Sequence, residues 1–328
     1  GPHPVTNPNR ETDKIASKLL AYLRDHLTDP TIAYELPCTR LLGGFETSTY
    51  QFKLSGAPED LDRHLVLRLY PERYGPDSAA WEGRVQNALA EEACPVARIR
   101  LLCTDKSILG GVFLIMDFLP GTRLVTASPG SMFEILGQAH ADLHRNHPEP
   151  LIAALTEQGV EKGRYRLDHR YELGQNTVDA FPWMGEGVDW LDVHRPSGPA
   201  SLAICHGDFH PLNILVQGAT ITGILDWADL AIADPAWDVA NTLLRITMPY
   251  KHLVSPMLGA DYTSVDWDEG AQVYLDVYRA QNPQGAANLA YYRARQSIQS
   301  LIEGVQGHPV WGYPPIAQDL VRSIHRLT

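Results

Sequence analysis

Apolar positions along this chain change their period near residue 120. Before that point, alternation dominates. An opening segment is the exception: Ile15, Leu19, Leu20, Leu23 and Leu27 form one stripe, and this predicts an amphipathic helix over residues 11–27. Arg40–Leu42, the turn Gly43-Gly44-Phe45-Glu46-Thr47-Ser48 and Thr49–Leu54 read as strand, glycine-containing turn and strand. His64–Tyr70 alternates strictly, with Leu65, Leu67 and Leu69 on one face and Val66, Arg68 and Tyr70 on the other. A helix bearing Glu82 is expected over 79–92. A strand is expected over Val112–Asp117, ended by Leu119-Pro120-Gly121.

Beyond Gly121 the period becomes helical. Ser131-x-x-Glu134 reads as a capping box, followed by Met132, Leu136, Ala139 and Leu143 at helical spacing. Residues 181–199, rich in Pro, Gly and Trp, predict a loop. Leu202–Cys205 is a short strand before a polar turn. Ile214–Val216 and Thr220–Leu225 flank Gln217-Gly218-Ala219 as a hairpin. From Asp234 onward the pattern is mostly helix, with breaks near Pro249–Trp267, Pro283 and His308–Pro315. The expectation is an α+β chain: a strand-rich unit over 1–118 with an N-terminal helix, and a helical unit over 119–328.

Composition narrows the class. The 328 residues are 44% hydrophobic and 20% charged, as in a globular chain of about two folding units. A net charge of −12 argues against a general nucleic-acid binder, which needs a basic footprint. No apolar run reaches the ~18 residues of a membrane span. The N-terminus shows no basic-then-apolar leader. Cys38, Cys94, Cys103 and Cys205 form no CxxC pair, so free thiols in a reducing, cytoplasmic compartment are expected. Neither a Gly-Lys-Ser/Thr P-loop nor a Gly-x-Ser-x-Gly elbow is present.

The segment that carries chemistry is His206-Gly207-Asp208-Phe209-His210-Pro211-Leu212-Asn213, followed by the hairpin and Ile224-Leu225-Asp226-Trp227. Asp208 sits in the polar turn and Asn213 closes it. The returning hairpin delivers Asp226 beside Asn213. Hard oxygen donors in an open cluster suit Mg²⁺, which shares its coordination shell with phosphates. Asp208 is then left to orient a hydroxyl or accept its proton. A second reading takes His206-x-Asp208-x-His210 as the metal run of a metallohydrolase.

The segment resembles the H-G-D-x-x-x-x-N … I-D-[WF] motif of the aminoglycoside phosphotransferase family, small-molecule kinases with the two-lobed protein-kinase-like fold. The resemblance spans about residues 37–245. It implies that Asp208 is the catalytic acid, that Asn213 and Asp226 hold Mg²⁺ and that His206 braces the turn. It also implies a nucleotide site, for ATP or GTP, from Gly43, Gly44, Thr47 and Ser48 over the phosphates and an Arg68–Glu82 ion pair. Met116, Asp117, Phe118 and Leu119 would lie along the base. Arg68 departs from the commoner Lys: it keeps the charge in a bulkier, bidentate form. His144 is expected to be a structural hydrogen-bonder, and Asp238 to secure the catalytic turn.

The implied activity is transfer of the γ-phosphate to a hydroxyl of a small molecule, an aminoglycoside-type antibiotic or a related metabolite. A macrolide, amino alcohol or sugar acceptor is the alternative. Residues 121–328 carry −9 of the −12, which would attract a cationic acceptor. The last ~80 residues show no motif, so acceptor identity lies in the least readable part of the chain.

Overall fold

The computed structural model describes residues 7–41, 47–92, 94–167, 175–198 and 201–327, without the side chains of 175–177. The chain divides into two compact units, Gly1–Pro120 and Gly121–Thr328.

The first unit begins with helix α1 (Pro8–His26), capped by Asn7, whose side chain accepts from the Asn9 amide. Ile15, Leu19 and Leu23 are its buried stripe. Five antiparallel strands follow: β1 (Ala33–Leu41), β2 (Ser48–Ser55), β3 (Leu65–Leu69), β4 (Ile99–Cys103) and β5 (Phe113–Asp117), in the order β1-β2-β3-β5-β4. The β1 strand starts well before the expected Arg40, because register shifts around Leu36 and Pro37 break its alternation. Helix α2 (Pro76–Glu91) follows β3. The alternation in β3 sorts two cores. Leu65 and Leu67 join α1, Phe52 and Ile115 on one face. Val66 and Tyr70 join Ala79, Leu114 and Met116 on the other. Burying these side chains supplies roughly 25 cal/mol per Å² of apolar surface.

The second unit is mainly helical. Strand β6 (Thr122–Arg123) joins the hairpin described below. Helix α3 (Met132–Arg145) lacks the expected capping box: Ser131 makes no side-chain cap bond, its φ of −128° and ψ of 10° lying away from the extended geometry of a cap. Residues 181–199 also depart from expectation. A 3₁₀ turn and helix α4 (Gly185–His194) form there, because Met184, Val188 and Leu191 share one buried face. Gly187 lets this helix approach Ile298 and Ile324 closely.

The strands are β7 (Ala203–Cys205), β8 (Ile214–Gln217), β9 (Thr220–Ile224) and β10 (Ala231–Ala233). Strand β10 pairs with β7, and β8 with β9 around Gly218 at φ +61°. Helix α5 (Pro235–Arg245) runs directly into a π-helix, Ile246–Val254, so Pro249 lies inside helical structure instead of breaking it. Helices α6 (Trp267–Gln281), α7 (Leu289–Val305) and α8 (Pro314–His325) complete the unit. No described helix is long and apolar enough to cross a membrane.

Candidate active site

Buried strand β7, its Cys205 paired to Ala231 of β10, fixes the start of the polar turn, and β8 begins directly after Asn213. The turn leaves β7 through Gly207, at φ +88°. A Cβ there would stand 2.6 Å from the Asp229 Cβ and 2.7 Å from its carbonyl, so only glycine fits. His206 is wholly buried. Its Nε2 donates to the Leu225 carbonyl at 2.7 Å, and its Nδ1 accepts from the Asp208 amide at 3.0 Å. Both ring nitrogens are therefore spent. The metallohydrolase reading of His206, Asp208 and His210 is left without its first ligand.

Asp238, in the first turn of α5, accepts four hydrogen bonds. The His206 and Gly207 amides each donate at 2.8 Å. His140 Nε2 donates at 2.8 Å and His144 Nε2 at 2.9 Å. The opposite ring nitrogens accept from Tyr274 and Tyr278 hydroxyls at 2.7 and 2.6 Å. Burial pushes the Asp238 carboxyl up, but His140 and His144 outweigh it and hold it well below the usual range. Burial, reinforced by His144, pushes His140 down to about 4. Among the described residues these three form the one group whose donor atoms could gather on a metal ion. Every donor atom is already hydrogen-bonded, which makes the group a brace for the turn.

Asp208 is half-buried. Its Oδ1 accepts from Arg245 Nε at 2.5 Å and faces His210 Nε2 at 3.2 Å. Its Oδ2 accepts from Asn213 Nδ2 at 3.2 Å. Burial favours its neutral acid form, but His210 and Arg245 prevail and hold the carboxyl far below the ordinary range, so it is a carboxylate. Arg245 also lies over the Trp311 ring, 5.9 Å from its centroid.

Asn213 donates through Nδ2 to the Asp208 carbonyl at 2.9 Å as well as to its carboxylate, which turns Oδ1 away from both. The Leu225 amide donates to the Asn213 carbonyl at 2.8 Å, so Asp226 follows directly beside Asn213. Asp226 itself takes φ +61°, a left-handed conformation unusual for a non-glycine residue. The Asn213 amide oxygen, left out of the two bonds made by Nδ2, and the Asp226 carboxylate make the hard-oxygen donor set that Mg²⁺ takes, so the residues fit that ion.

In the first unit, Arg68 Nη2 lies 3.4 Å from Glu82 Oε1, and the Tyr70 hydroxyl 2.5 Å from Glu82 Oε2. Both charged side chains are largely buried. Thr49 pairs with Arg68 and Ser48 with Leu69, so the start of β2, including Ser48 and the adjoining Thr47, runs beside the pair. Gly43 and Gly44 lie outside the described residues. Met116 is buried, with Gln86 Nε2 4.0 Å from its sulfur. The Asp117 carboxylate takes both Arg100 bonds, at 2.8 and 2.9 Å. Phe118 stacks on His64 at 3.8 Å between centroids. The Asp117 and Phe118 amides donate to Arg98 and His64 carbonyls. Among the described residues, the Leu119 amide has no such partner.

The sequence model of the phosphotransferase enzyme family, APH, matches residues 37–273. The chain belongs to this family. Among curated relatives, acyl-CoA dehydrogenase family member 10 of Mus musculus is 28% identical over 75% of this chain and 24% of its own length. The Arabidopsis thaliana relative, probable acyl-CoA dehydrogenase IBR3, is matched over 29% of its length, so the chain spans about a quarter of these proteins. The aminoglycoside 3'-phosphotransferase of Streptomyces fradiae is 24% identical over 60% of this chain and 75% of its own length. Among solved structures, a thermostable variant of aminoglycoside phosphotransferase APH(4)-Ia, in ternary complex with AMP-PNP and hygromycin B, superposes with a TM-score of 0.61. It is 16% identical and covers 95% of this chain and 99% of its own. Macrolide 2'-phosphotransferase of Brachybacterium faecium gives 0.51 at 18% identity, over 91% and 96% of the two chains. The fold is thus the α+β, kinase-like fold of these phosphotransferases.

For this family member, the sequence reading located the turn and, among its supports, His206, His144 and Asp238, but not the others. His140, Tyr274, Tyr278, Arg245 and Tyr250, whose hydroxyl accepts from the Leu212 amide at 2.9 Å, escaped attention. Two of the signals were readable. His140 and His144, like Tyr274 and Tyr278, stand four apart on one helical face. Asp238, Asn241, Thr242 and Arg245 form a polar stripe at i, i+3, i+4 and i+7 through an otherwise apolar helix.

Proposed function

We propose that this chain transfers the γ-phosphate of ATP or GTP to a hydroxyl of a small molecule. The observation that carries the reading is the Asp208 carboxylate, paired with Arg245, in one turn with Asn213, to whose carbonyl the hairpin returns at Leu225, next to Asp226. Phosphoryl transfer needs little covalent help from the protein; it needs alignment and neutralised charge. Asn213 and Asp226 are assigned to Mg²⁺, which when bound offsets charge on the transferring phosphoryl group. Asp208 orients the acceptor hydroxyl and takes its proton as the oxygen attacks. The Arg68–Glu82 pair, with Thr47, Ser48 and the Gly43-Gly44 segment, is assigned to the nucleotide phosphates. Met116 and the backbone of Asp117, Phe118 and Leu119 are assigned to the base.

The first acceptor candidate is an aminoglycoside-type compound. That choice is supported by the likeness to a structure holding hygromycin B and to an aminoglycoside 3'-phosphotransferase, and by the excess of acids in residues 121–328. The test is nucleotide consumption with Mg²⁺, using ATP and GTP in parallel, against aminoglycosides, a macrolide, choline and homoserine, with mass spectrometry of the products. Gain of one phosphate by one acceptor class is the expected result. Failure to bind either nucleotide overturns the reading.

A further inference from the structure

A cleft of about 250 Å³ opens in the helical unit between α5, the π-helix, α7 and the end of α8. It faces away from the catalytic turn. Ala240 and Leu244 form its α5 wall. At 100° per residue they point about 130° around the helix from Asp238 and Arg245, which hold the turn. Among the described residues, no side chain lining the cleft hydrogen-bonds to residues 206–213.

Arg293 and Arg326 are the charged residues of this cleft, and no acid lines it among the described residues. That reverses the character of residues 121–328, which carry −9. Neither guanidinium makes a hydrogen bond or an ion pair among the described residues. Both residues are exposed, so a ligand reaches them from solvent. Desolvation and the nearby Arg279 both push the Arg293 guanidinium below its ordinary value, and a bound anion would offset both. Ser323 stands one turn before Arg326, and its hydroxyl proton is free to join them. Ser297 and Thr247 add no donor. Their hydroxyls already donate to the Arg293 and Leu243 carbonyls, at 2.9 and 2.8 Å.

Beneath the cations the surface is apolar, with Leu244, Met248 and Ala294 all buried. A dry cavity of about 150 Å³ holds benzene, so this volume takes roughly ten non-hydrogen atoms. Planar guanidinium groups match carboxylate and phosphate oxygens in pairs, and the apolar floor favours a hydrocarbon chain or ring behind them.

We propose that this cleft binds a small organic anion, a carboxylate or phosphate monoester on an apolar body of about six to eight carbons, at a site separate from the phosphoryl-transfer turn. Arg293, Arg326 and Ser323 take the anionic group; Leu244, Met248 and Ala294 take the body. No residue of the turn belongs to the site, so it stands independently of the function proposed above.

Of the chain's five methionines, only Met248 lines the cleft. Methyl NMR of the full chain labelled with ¹³C-methyl-methionine therefore reads occupancy, and Met248→Leu assigns the resonance. The probes are phenyl phosphate, phenylacetate, benzyl alcohol, benzylamine and inorganic phosphate. At least one of the two aromatic anions should shift the Met248 resonance saturably. The neutral, cationic and body-less probes should bind at least about tenfold more weakly. Whichever aromatic anion binds more tightly identifies the anionic group. Arg293→Gln and Arg326→Gln should each weaken that anion about tenfold. Lys251→Gln, which removes the same charge from the π-helix outside the cleft, should change it by less than about twofold. No saturable shift from either aromatic anion up to about 10 mM overturns the proposal. So does benzyl alcohol or inorganic phosphate binding as tightly as the aromatic anions, or Lys251→Gln losing as much as Arg293→Gln. The wild-type titrations need no variant to fold.

Discussion

Arg245 Nε donates to Asp208 Oδ1 at 2.5 Å, from the last residue of the helix whose first turn carries Asp238. One helix thus grips the turn at two points: Asp238 holds its backbone and Arg245 its carboxylate. Burial opposes charge on Arg245, but Asp208 and Asp229 keep the guanidinium protonated. Arg245→Met should therefore lower kcat about a hundredfold by freeing the carboxylate, with nucleotide affinity unchanged. Arg245→Lys, which keeps the charge but not the planar Nε–H, should fall between. Equal kcat for Met and wild type would remove Arg245 from the mechanism.

Asp208 and Asp226 should separate in their effects. Asp208→Asn is expected to cut turnover by about 10²- to 10⁴-fold and leave nucleotide binding nearly intact. Asp226→Ala should instead weaken nucleotide binding in Mg²⁺ while leaving metal-free binding alone. Calorimetric titrations with and without Mg²⁺ distinguish them; unchanged metal dependence in Asp226→Ala rules out its assignment.

The Arg68–Glu82 pair predicts a coupled loss. Glu82→Ala strips a buried guanidinium of a carboxylate and takes an acceptor from the Tyr70 hydroxyl. Breaking a pair of this kind costs about 3–5 kcal/mol. The denaturation midpoint and nucleotide affinity should fall together, and Glu82→Gln should do less harm to both. A variant that loses affinity at full stability would show Glu82 touching the nucleotide directly.

The histidine brace sets an acid limit. His140 is pushed down from its ordinary 6.5 to about 4. As pH falls from 6.5, the unfolded chain takes up this proton before the folded one does. Stability is therefore full above 6.5 and is lost progressively as pH drops through about 4. Asp238, also held low, adds its loss only below the ordinary carboxylate range. Thermal midpoints measured from pH 7 to pH 4 should decline, and the decline over that window should be shallower in His140→Asn.

What the sequence revealed was local. The β3 alternation, the Gly218 hairpin and the Asp208–Asn213–Asp226 spacing depend on neighbours within a few residues, so pattern reached them. The supports of Asp208 do not. Arg245 and Tyr250 stand 37 and 42 residues after Asp208 in the chain, and their convergence needs the antiparallel return through β9 and β10 and a π-turn that no spacing announces. Ser131-x-x-Glu134 misled for the converse reason, a local signal overridden where the chain enters α3. Residues 181–199 hid a helix behind Pro and Gly because its apolar face is only three side chains wide.

The amides of His206 and Gly207 belong by backbone to a loop, yet both donate to a fully buried acceptor. Water reaches them only when α5 separates from α3, since His140 and His144 bind the same carboxylate. Their hydrogen exchange should then be as slow as that of the helix interior, and limited by global unfolding. The turn that carries Asp208 would be kinetically a piece of the core.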